Sequence, residues 1–115
     1  MVTKVQKQRI KRFVKALRSG KYKQTTGKLQ DADGYCCLGV ACDLYRIDMG
    51  LKSPSVIATK WGKRHAEELP PKIQEYYGFE STNPDLGYTC SATYLNDNHN
   101  FSFKKLADLF EKKYL

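Results

Sequence analysis

One short segment of the chain gathers the residue types that bind phosphate groups. Within seven positions it holds an arginine, two lysines, a hydroxyl, a phenol and an amide: Arg18, Ser19, Lys21, Tyr22, Lys23 and Gln24. Arginine and lysine supply charge for phosphate oxygens, and a tyrosine ring can stack on a base. Asn96 and Asp97 offer hydrogen bonds for a base edge or a ribose. These residues predict a site for nucleic acid or a small nucleotide, with a solvated helix-to-strand connection as the alternative.

Cysteine chemistry offers a second interpretation. Cys36 and Cys37 stand near the predicted start of a helix, where the helix dipole favours the reactive thiolate. His65 or His99 would then serve as the base of a cysteine-dependent hydrolase, because a thiol nucleophile needs a neighbouring base. Nothing in the spacing fixes either histidine beside a cysteine, and free cysteines are common core residues. We therefore expect no catalytic residue and favour a non-enzymatic protein.

The metal-binding residue types lack the spacing of a metal site. The four cysteines include no C-x-x-C, and neither histidine has a second histidine or a cysteine at a zinc-binding interval. Asp31, Asp33 and Asp43 do not have the loop spacing of a calcium site. The sequence predicts no metal, no cofactor and no disulfide.

The positive charge is concentrated at the N-terminus. The formal net charge is +8, yet residues 1–28 hold ten Lys or Arg and no Asp or Glu. Residues 29–115 hold ten basic and twelve acidic side chains. A local basic patch of this kind attracts phosphate-rich partners. An acidic protein surface is the other class of partner that it would fit.

Length and composition predict a single globular domain. The chain has 115 residues, of which 41% are apolar and 28% are charged. No apolar run approaches the roughly 18 residues that a membrane span needs. No apolar stretch of a secretory signal follows the basic N-terminus. We expect a cytoplasmic protein that has no membrane partner.

Hydrophobic spacing predicts a mostly helical, compact α+β domain over residues 1–115. Helices are predicted at residues 3–18, 35–47, 70–77 and 102–113, with a small β element within residues 21–30. Residues 1–20 form a basic N-terminal helix, and residues 21–115 form a mixed helical body. Residues 89–97 fit either a strand or a helix.

Three expectations concern burial and order. The inner stripe of the first helix is predicted to be Ile10, Phe13, Val14 and Leu17. The second helix is expected to carry Cys37, Leu38 and Ala41 into the core. Residues 1–7 are expected to fray.

Several segments together resemble a known family. They are Ala16 to Gln24 (ALRSGKYKQ), Tyr35 to Asp43 (YCCLGVACD), Leu69 to Ile73 (LPPKI), Leu95 to Asp97 (LND) and Ser102 to Glu111 (SFKKLADLFE). This pattern is similar to that of an uncharacterised family of small proteins from tailed phages, prophages and some bacteria. The resemblance implies a phage or mobile-element origin, and it favours a helix over residues 91–97. It carries no mechanism.

The combined expectation is a non-enzymatic, phage-type accessory protein of the host cytoplasm. It would bind nucleic acid or a small nucleotide, for example a defence signal of the host, through its basic N-terminal face. A protein that binds and inhibits a host enzyme is the alternative. Arg18, Lys21 and Lys23 are expected to matter more than Lys4 and Lys7, because a frayed lysine loses more side-chain entropy on binding.

Overall fold

The computed structural model describes residues 2–24, 30–31, 34–50, 69–86, 92–98 and 101–115. Their regular elements are, in chain order, α1 (Lys4–Arg18), β1 (Gln30–Asp31), β2 (Gly34–Tyr35), α2 (Cys37–Asp48), α3 (Pro71–Tyr77), α4 (Ala92–Asn98) and α5 (Phe103–Tyr114). The domain is mostly helical and has a small β element, which confirms the predicted fold class.

The core lies where α1 meets the other helices. α1 packs most extensively against α5 and also contacts α2 and α3. Its buried side chains are the predicted stripe, Ile10, Phe13, Val14 and Leu17. The Phe13 ring meets the Phe110 ring edge-on, with 4.9 Å between the ring centroids. Tyr77 and Phe79 add their rings to this cluster, so aromatic side chains join α1, α3 and α5.

The central helix, α2, begins two residues later than predicted. Tyr35 lies in β2, where its backbone N–H donates to the carbonyl oxygen of Lys23 at 2.8 Å. Cys36 is the N-cap residue, with an extended backbone. The expected burial of Cys37, Leu38 and Ala41 is confirmed, since none of the three has measurable exposure.

The β element is short and antiparallel. Gln30 pairs with Tyr35, and Asp31 pairs with Gly34. Gln24 forms a parallel bridge with Tyr35, so the chain after α1 also joins this element. A side chain at position 34 would collide with the Lys23 carbonyl, which explains the glycine there. The prediction placed all β structure within residues 21–30, but half of the ladder comes from Gly34 and Tyr35, and residues 25–29 lie outside the described part.

The C-terminal helices follow their capping signals. α3 carries Pro71 at its first position and ends at Gly78, whose φ of 78° suits glycine. α5 is capped by Ser102, whose Oγ accepts a hydrogen bond from the Lys105 N–H. Residues 92–98 are helical, which decides between the two interpretations of that segment. The sequence predicts no helix or strand for residues 48–69, and of these the structure describes only 48–50 and Leu69.

Candidate functional site

The N-terminus of α1 is fixed to the body of the domain. Thr3 and Gln6 form a reciprocal capping box, in which each side chain accepts a hydrogen bond from the other residue's backbone N–H. The Gln6 Nε2 donates to the carbonyl oxygen of Glu75 in α3 at 2.8 Å. These hydrogen bonds hold residues 3–6 to the domain and count against the expectation that residues 1–7 fray, although Met1 lies outside the described residues. Lys4 and Lys7 stand on an anchored helix.

Two arginines of α1 bind groups on the neighbouring helices. Arg9 donates to the Tyr76 carbonyl oxygen at 2.8 Å, and its guanidinium lies 3.9 Å from the centroid of the Tyr76 ring. Arg12 forms an ion pair with Asp48, whose carboxylate also accepts the Tyr76 hydroxyl. Burial tends to raise the pKa of Asp48, but the hydrogen bonds from Tyr76 and Arg12 outweigh it and lower that pKa. These side chains hold α1 against α2 and α3.

Arg18, the third arginine of α1, is also paired. Its Nη2 lies 2.6 Å from the Asp108 carboxylate, and its Nη1 lies 3.0 Å from the Glu111 carboxylate. The hydrogen bonds with Glu111 and Asp108 raise the pKa of Arg18 above its ordinary value. All three side chains remain substantially exposed, so the contact contributes little to stability. Arg18 nevertheless presents no uncompensated charge to a ligand.

The lysines of α1 behave differently from its arginines. Lys4, Lys7, Lys11 and Lys15 are all exposed, at spacings of three, four and four residues. Such spacings place side chains on one side of a helix, here beside the buried stripe, next to Val14. Within the described part of the chain, none of these four side chains forms an ion pair or a hydrogen bond. We call these four residues the lysine face.

The segment after α1 adds two further exposed lysines. Lys21 and Lys23 both expose their side chains. Ser19 closes the helix, because its Oγ donates to the Ala16 carbonyl at 2.7 Å and accepts from the Lys21 N–H at 3.1 Å. The Ser19 hydroxyl is thereby used by the local backbone.

Tyr22 points inward. Its hydroxyl donates to the buried Asp43 carboxylate at 2.6 Å, and its ring meets the Tyr35 ring edge-on. Burial, followed by the hydrogen bond to Asp43, raises the pKa of Tyr22. Asp43 also accepts from Arg46 Nε at 2.8 Å, so its charge is compensated. The Tyr22 ring is therefore part of the fold, and stacking on a base would require it to leave this position.

Gln24 and Asn96 meet in the interior. The Gln24 Nε2 donates to Asn96 Oδ1 at 2.8 Å and to the Phe101 carbonyl at 2.7 Å. The Gln24 Oε1 accepts from the Phe103 N–H at 3.1 Å. Asn96, which is fully buried, also accepts from the Cys37 N–H. The structure thus brings together two residues of the predicted site, but it directs them at each other.

The thiols of the alternative hydrolase are buried. Cys36, Cys37 and Cys42 are free cysteines with at most 5% exposure. The Cys37 thiol donates to the Ala92 carbonyl at 3.8 Å. Burial, with smaller contributions from Cys36 and Asp43, raises the pKa of Cys42. The candidate bases His65 and His99, the side chain of Asp97, and Cys90 lie outside the described residues.

A groove between α1 and α5 borders the lysine face. It is lined by Lys11, Val14, Arg18, Glu111 and Leu115. In the described part of the chain, no three His, Cys, Asp or Glu side chains gather as metal ligands would. No described helix is both long and apolar enough to cross a lipid bilayer.

Sequence reasoning missed the difference between the two kinds of basic residue on α1. The arginines reach Tyr76, Asp48, Asp108 and Glu111, and the lysines stay in solvent. The feature of the sequence that could have indicated the pairing of Arg18 is the two carboxylates of α5, Asp108 and Glu111. They lie one helical turn apart on a helix that carries its own apolar stripe.

The fold and the charged face define a small, mostly helical domain with a basic surface on its first helix. The chain belongs to the family described as Domain of unknown function (DUF8296), which matches residues 6–114. No curated protein and no solved structure matches the chain significantly.

Proposed function

We propose that this protein binds a phosphate-bearing ligand through the lysine face and performs no chemistry on it. The observation that carries the proposal is the exposure of Lys4, Lys7, Lys11 and Lys15 on one anchored helix. No described acidic side chain compensates these four charges. Uncompensated lysines in a row attract anions and raise their local concentration.

The site is shifted relative to the expectation from the sequence. Lys21 and Lys23 remain in it, because both side chains are exposed directly after α1. Arg18 contributes only when a ligand displaces its two carboxylate partners. Tyr22, Gln24 and Asn96 support the fold through their contacts with Asp43 and with each other. The proposed site therefore extends along the whole of α1, whereas the sequence placed it at the C-terminal end of this helix.

The biological setting is proposed from the resemblance to phage and prophage proteins. A phage-type accessory protein in the host cytoplasm meets nucleic acid and nucleotide signals of host defence, and both carry phosphate. The lysine face has the charge to bind either ligand.

A second candidate is a protein that inhibits a host enzyme by binding an acidic surface. Ile47 and Met49, at the end of α2, favour it because about half of each apolar side chain is exposed. Aromatic and methionine side chains are enriched in protein interfaces. The hydrolase alternative gains no such support, because the thiols of Cys36 and Cys37 are buried.

The proposal is tested by NMR titration of isotope-labelled protein with inorganic tripolyphosphate, a probe that has charge but no base. We expect the largest shift changes at the four lysines of the lysine face. Changes centred on Asn96 or Cys36 instead would place the site elsewhere. Absence of any change at low salt would overturn the proposal.

Protein purified at low and at high salt provides a second readout. Nucleic acid or a nucleotide that copurifies at low salt raises the absorbance ratio at 260 and 280 nm, and mass spectrometry identifies it. A clean protein that instead retains a host protein would support the inhibitor candidate.

A further inference from the structure

The length of the lysine face limits what it can bind. From Lys4 to Lys15 the helix advances eleven residues, or about 16 Å at 1.5 Å per residue. Successive phosphates along one strand of a duplex advance about 3.4 Å along its axis. Laid parallel to the duplex axis, a face of this length spans about five such steps. A single nucleotide with two or three phosphates is too short to engage all four lysines.

The surroundings of the face do not enclose a small molecule. Small-ligand sites are concave and surround most of the ligand. The groove beside the face contains the Glu111 carboxylate, which repels phosphate, and the apolar side chains of Val14 and Leu115. The polar groups that would recognise a base, on Tyr22 and Gln24, are directed into the protein. The described surface is suited to a long anion that lies across it.

The face also lacks the usual features of single-strand and membrane binding. Single-stranded nucleic acid is held by aromatic side chains on which bases stack. Among the described residues, the only strongly exposed large aromatic side chain is Tyr94, which lies on α4 and not on α1. A membrane-surface helix inserts an apolar side, but Phe13 and Leu17 of α1 are already buried in the core.

We propose that the lysine face binds the phosphate backbone of double-stranded DNA without reading its sequence. This inference rests on the proposed function and names its ligand. α1 packs on α2, α3 and α5 but keeps one side exposed, and the major groove of B-DNA is wide enough to admit an α-helix. The major groove of duplex RNA is deep and narrow, so α1 fits it less well. Lysines in a row contact phosphates without distinguishing bases.

The salt dependence of binding reports the number of phosphate contacts. For B-DNA the logarithm of affinity falls with the logarithm of salt concentration, with a slope of about −0.9 per contact. Four lysines predict a slope near −3.6, and Lys21 and Lys23 together would steepen it to about −5.4. A ligand with two phosphates would give a much shallower slope.

The test is fluorescence anisotropy with the wild-type chain and a labelled DNA duplex of about 12 base pairs, long enough to span the face. The matching single strand, an RNA duplex of the same sequence, a DNA duplex of scrambled sequence and unlabelled tripolyphosphate complete the series. We expect the two DNA duplexes to bind within threefold of each other, the single strand and the RNA more weakly, and tripolyphosphate at least a hundredfold more weakly.

The outcomes separate the inference from the proposed function. If tripolyphosphate bound as tightly as the DNA duplex, with a shallow salt slope, the inference that duplex DNA is the ligand would be overturned. The proposed function, binding of a phosphate-bearing ligand, would remain. Equal or tighter binding of RNA or of single strands would overturn double-stranded DNA as the ligand. Binding of none of these probes at low salt would overturn both proposals.

Discussion

Gln24 and Asn96 lie 72 residues apart in the sequence and are joined in the interior by a hydrogen bond of 2.8 Å between Nε2 and Oδ1. The same two side chains bind the Cys37 N–H, the Phe101 carbonyl and the Phe103 N–H. One amide pair therefore connects the segment after α1 with α2, α4 and the start of α5. Because backbone groups of three other segments bind this pair, we infer that its role is to stabilise the fold.

The first prediction concerns this amide pair. Replacing Gln24 with alanine removes its hydrogen bonds to the Phe101 carbonyl and the Phe103 N–H. We expect the free energy of unfolding to fall by roughly 2–4 kcal/mol, since each hydrogen bond removed from a partly buried polar group costs about 1–3 kcal/mol. Urea denaturation measures the loss.

Gln8→Ala is the matched control, because Gln8 is exposed on α1 and should change stability by less than about 0.5 kcal/mol. The double variant Gln24→Ala/Asn96→Ala should lose less than the two single variants combined, since both remove one network. Equal stability of Gln24→Ala and Gln8→Ala would show that the pair is not structural.

The sequence predicted the fold better than the site, for a physical reason. The apolar stripe of α1 and the Ser102 cap depend on neighbours within a few residues, so they are visible in the sequence. The start of α2 was misplaced because Tyr35 is held in the β element, by Gln30 and by Lys23, which lies twelve residues earlier in the chain. Long-range partners override local propensity.

The candidate site depends even more on distant contacts. Arg18 and Gln24 have the right residue types for phosphate binding, but whether they are free is decided by partners more than 70 residues away. The lysines of α1 remain available because their spacing places them outside the buried stripe, and that spacing is visible in the sequence. The Thr3-x-x-Gln6 capping box is also visible in the sequence and was overlooked, whereas the hydrogen bond from Gln6 to Glu75, 69 residues away, is not visible there.

The second prediction concerns thiol reactivity. In a Cys90→Ser variant, the remaining thiols of Cys36, Cys37 and Cys42 are all buried in the native protein. A thiol reagent such as DTNB should label them only as fast as the protein opens, and labelling should be complete in urea. Wild-type protein provides the comparison for Cys90. Rapid native labelling of the variant would contradict the burial of α2 and revive the hydrolase alternative.

The third prediction concerns alkaline pH. Burial raises the pKa of the Cys42 thiol and of the Tyr77 phenol, and burial with the Asp48 hydrogen bond raises the pKa of Tyr76 to about 12. Their ordinary values are 9.0 for cysteine and 10.0 for tyrosine. Below these pH values the three groups are protonated in both the folded and the unfolded state, so their ionisation does not change the free energy of unfolding with pH. Above them the unfolded chain releases protons that the native protein retains, and stability falls.

Each such group contributes about 1.4 kcal/mol per pH unit to this fall. Urea unfolding at about pH 8, 9.5 and 10.5 measures it, and tyrosinate absorbance at 295 nm follows native ionisation. Unchanged stability across this range, with all 8 tyrosines ionising near their ordinary value in the native protein, would contradict the prediction.

The fourth prediction is a gain of affinity. The double variant Asp108→Asn/Glu111→Gln releases Arg18 from its two carboxylates and extends the row of free charges beyond Lys15. We expect DNA-duplex binding to tighten by about threefold to tenfold, and the salt slope to steepen by about 0.9 for one added phosphate contact. Anisotropy titrations at several salt concentrations measure both.

The control variant is Glu75→Gln/Glu80→Gln, which raises the net charge by the same amount but leaves Arg18 paired. It breaks the contact of Glu80 with Lys113 on the other side of α5. If this control tightened binding as much as the α5 variant, net charge alone would explain the gain, and the release of Arg18 would not.

The central claim is that binding is located on the lysine face and is not a consequence of overall charge. Lys11→Gln/Lys15→Gln and Lys72→Gln/Lys112→Gln both lower the formal net charge from +8 to +6, and all four lysines are exposed. The most direct measurement is the DNA-duplex affinity of these two variants across a range of salt concentrations. We predict that the α1 variant loses more than tenfold in affinity near 0.1 M salt and about 1.8 in salt slope, while the other variant stays within about threefold of wild type. Equal losses in the two variants, or no loss in the α1 variant, would contradict the claim.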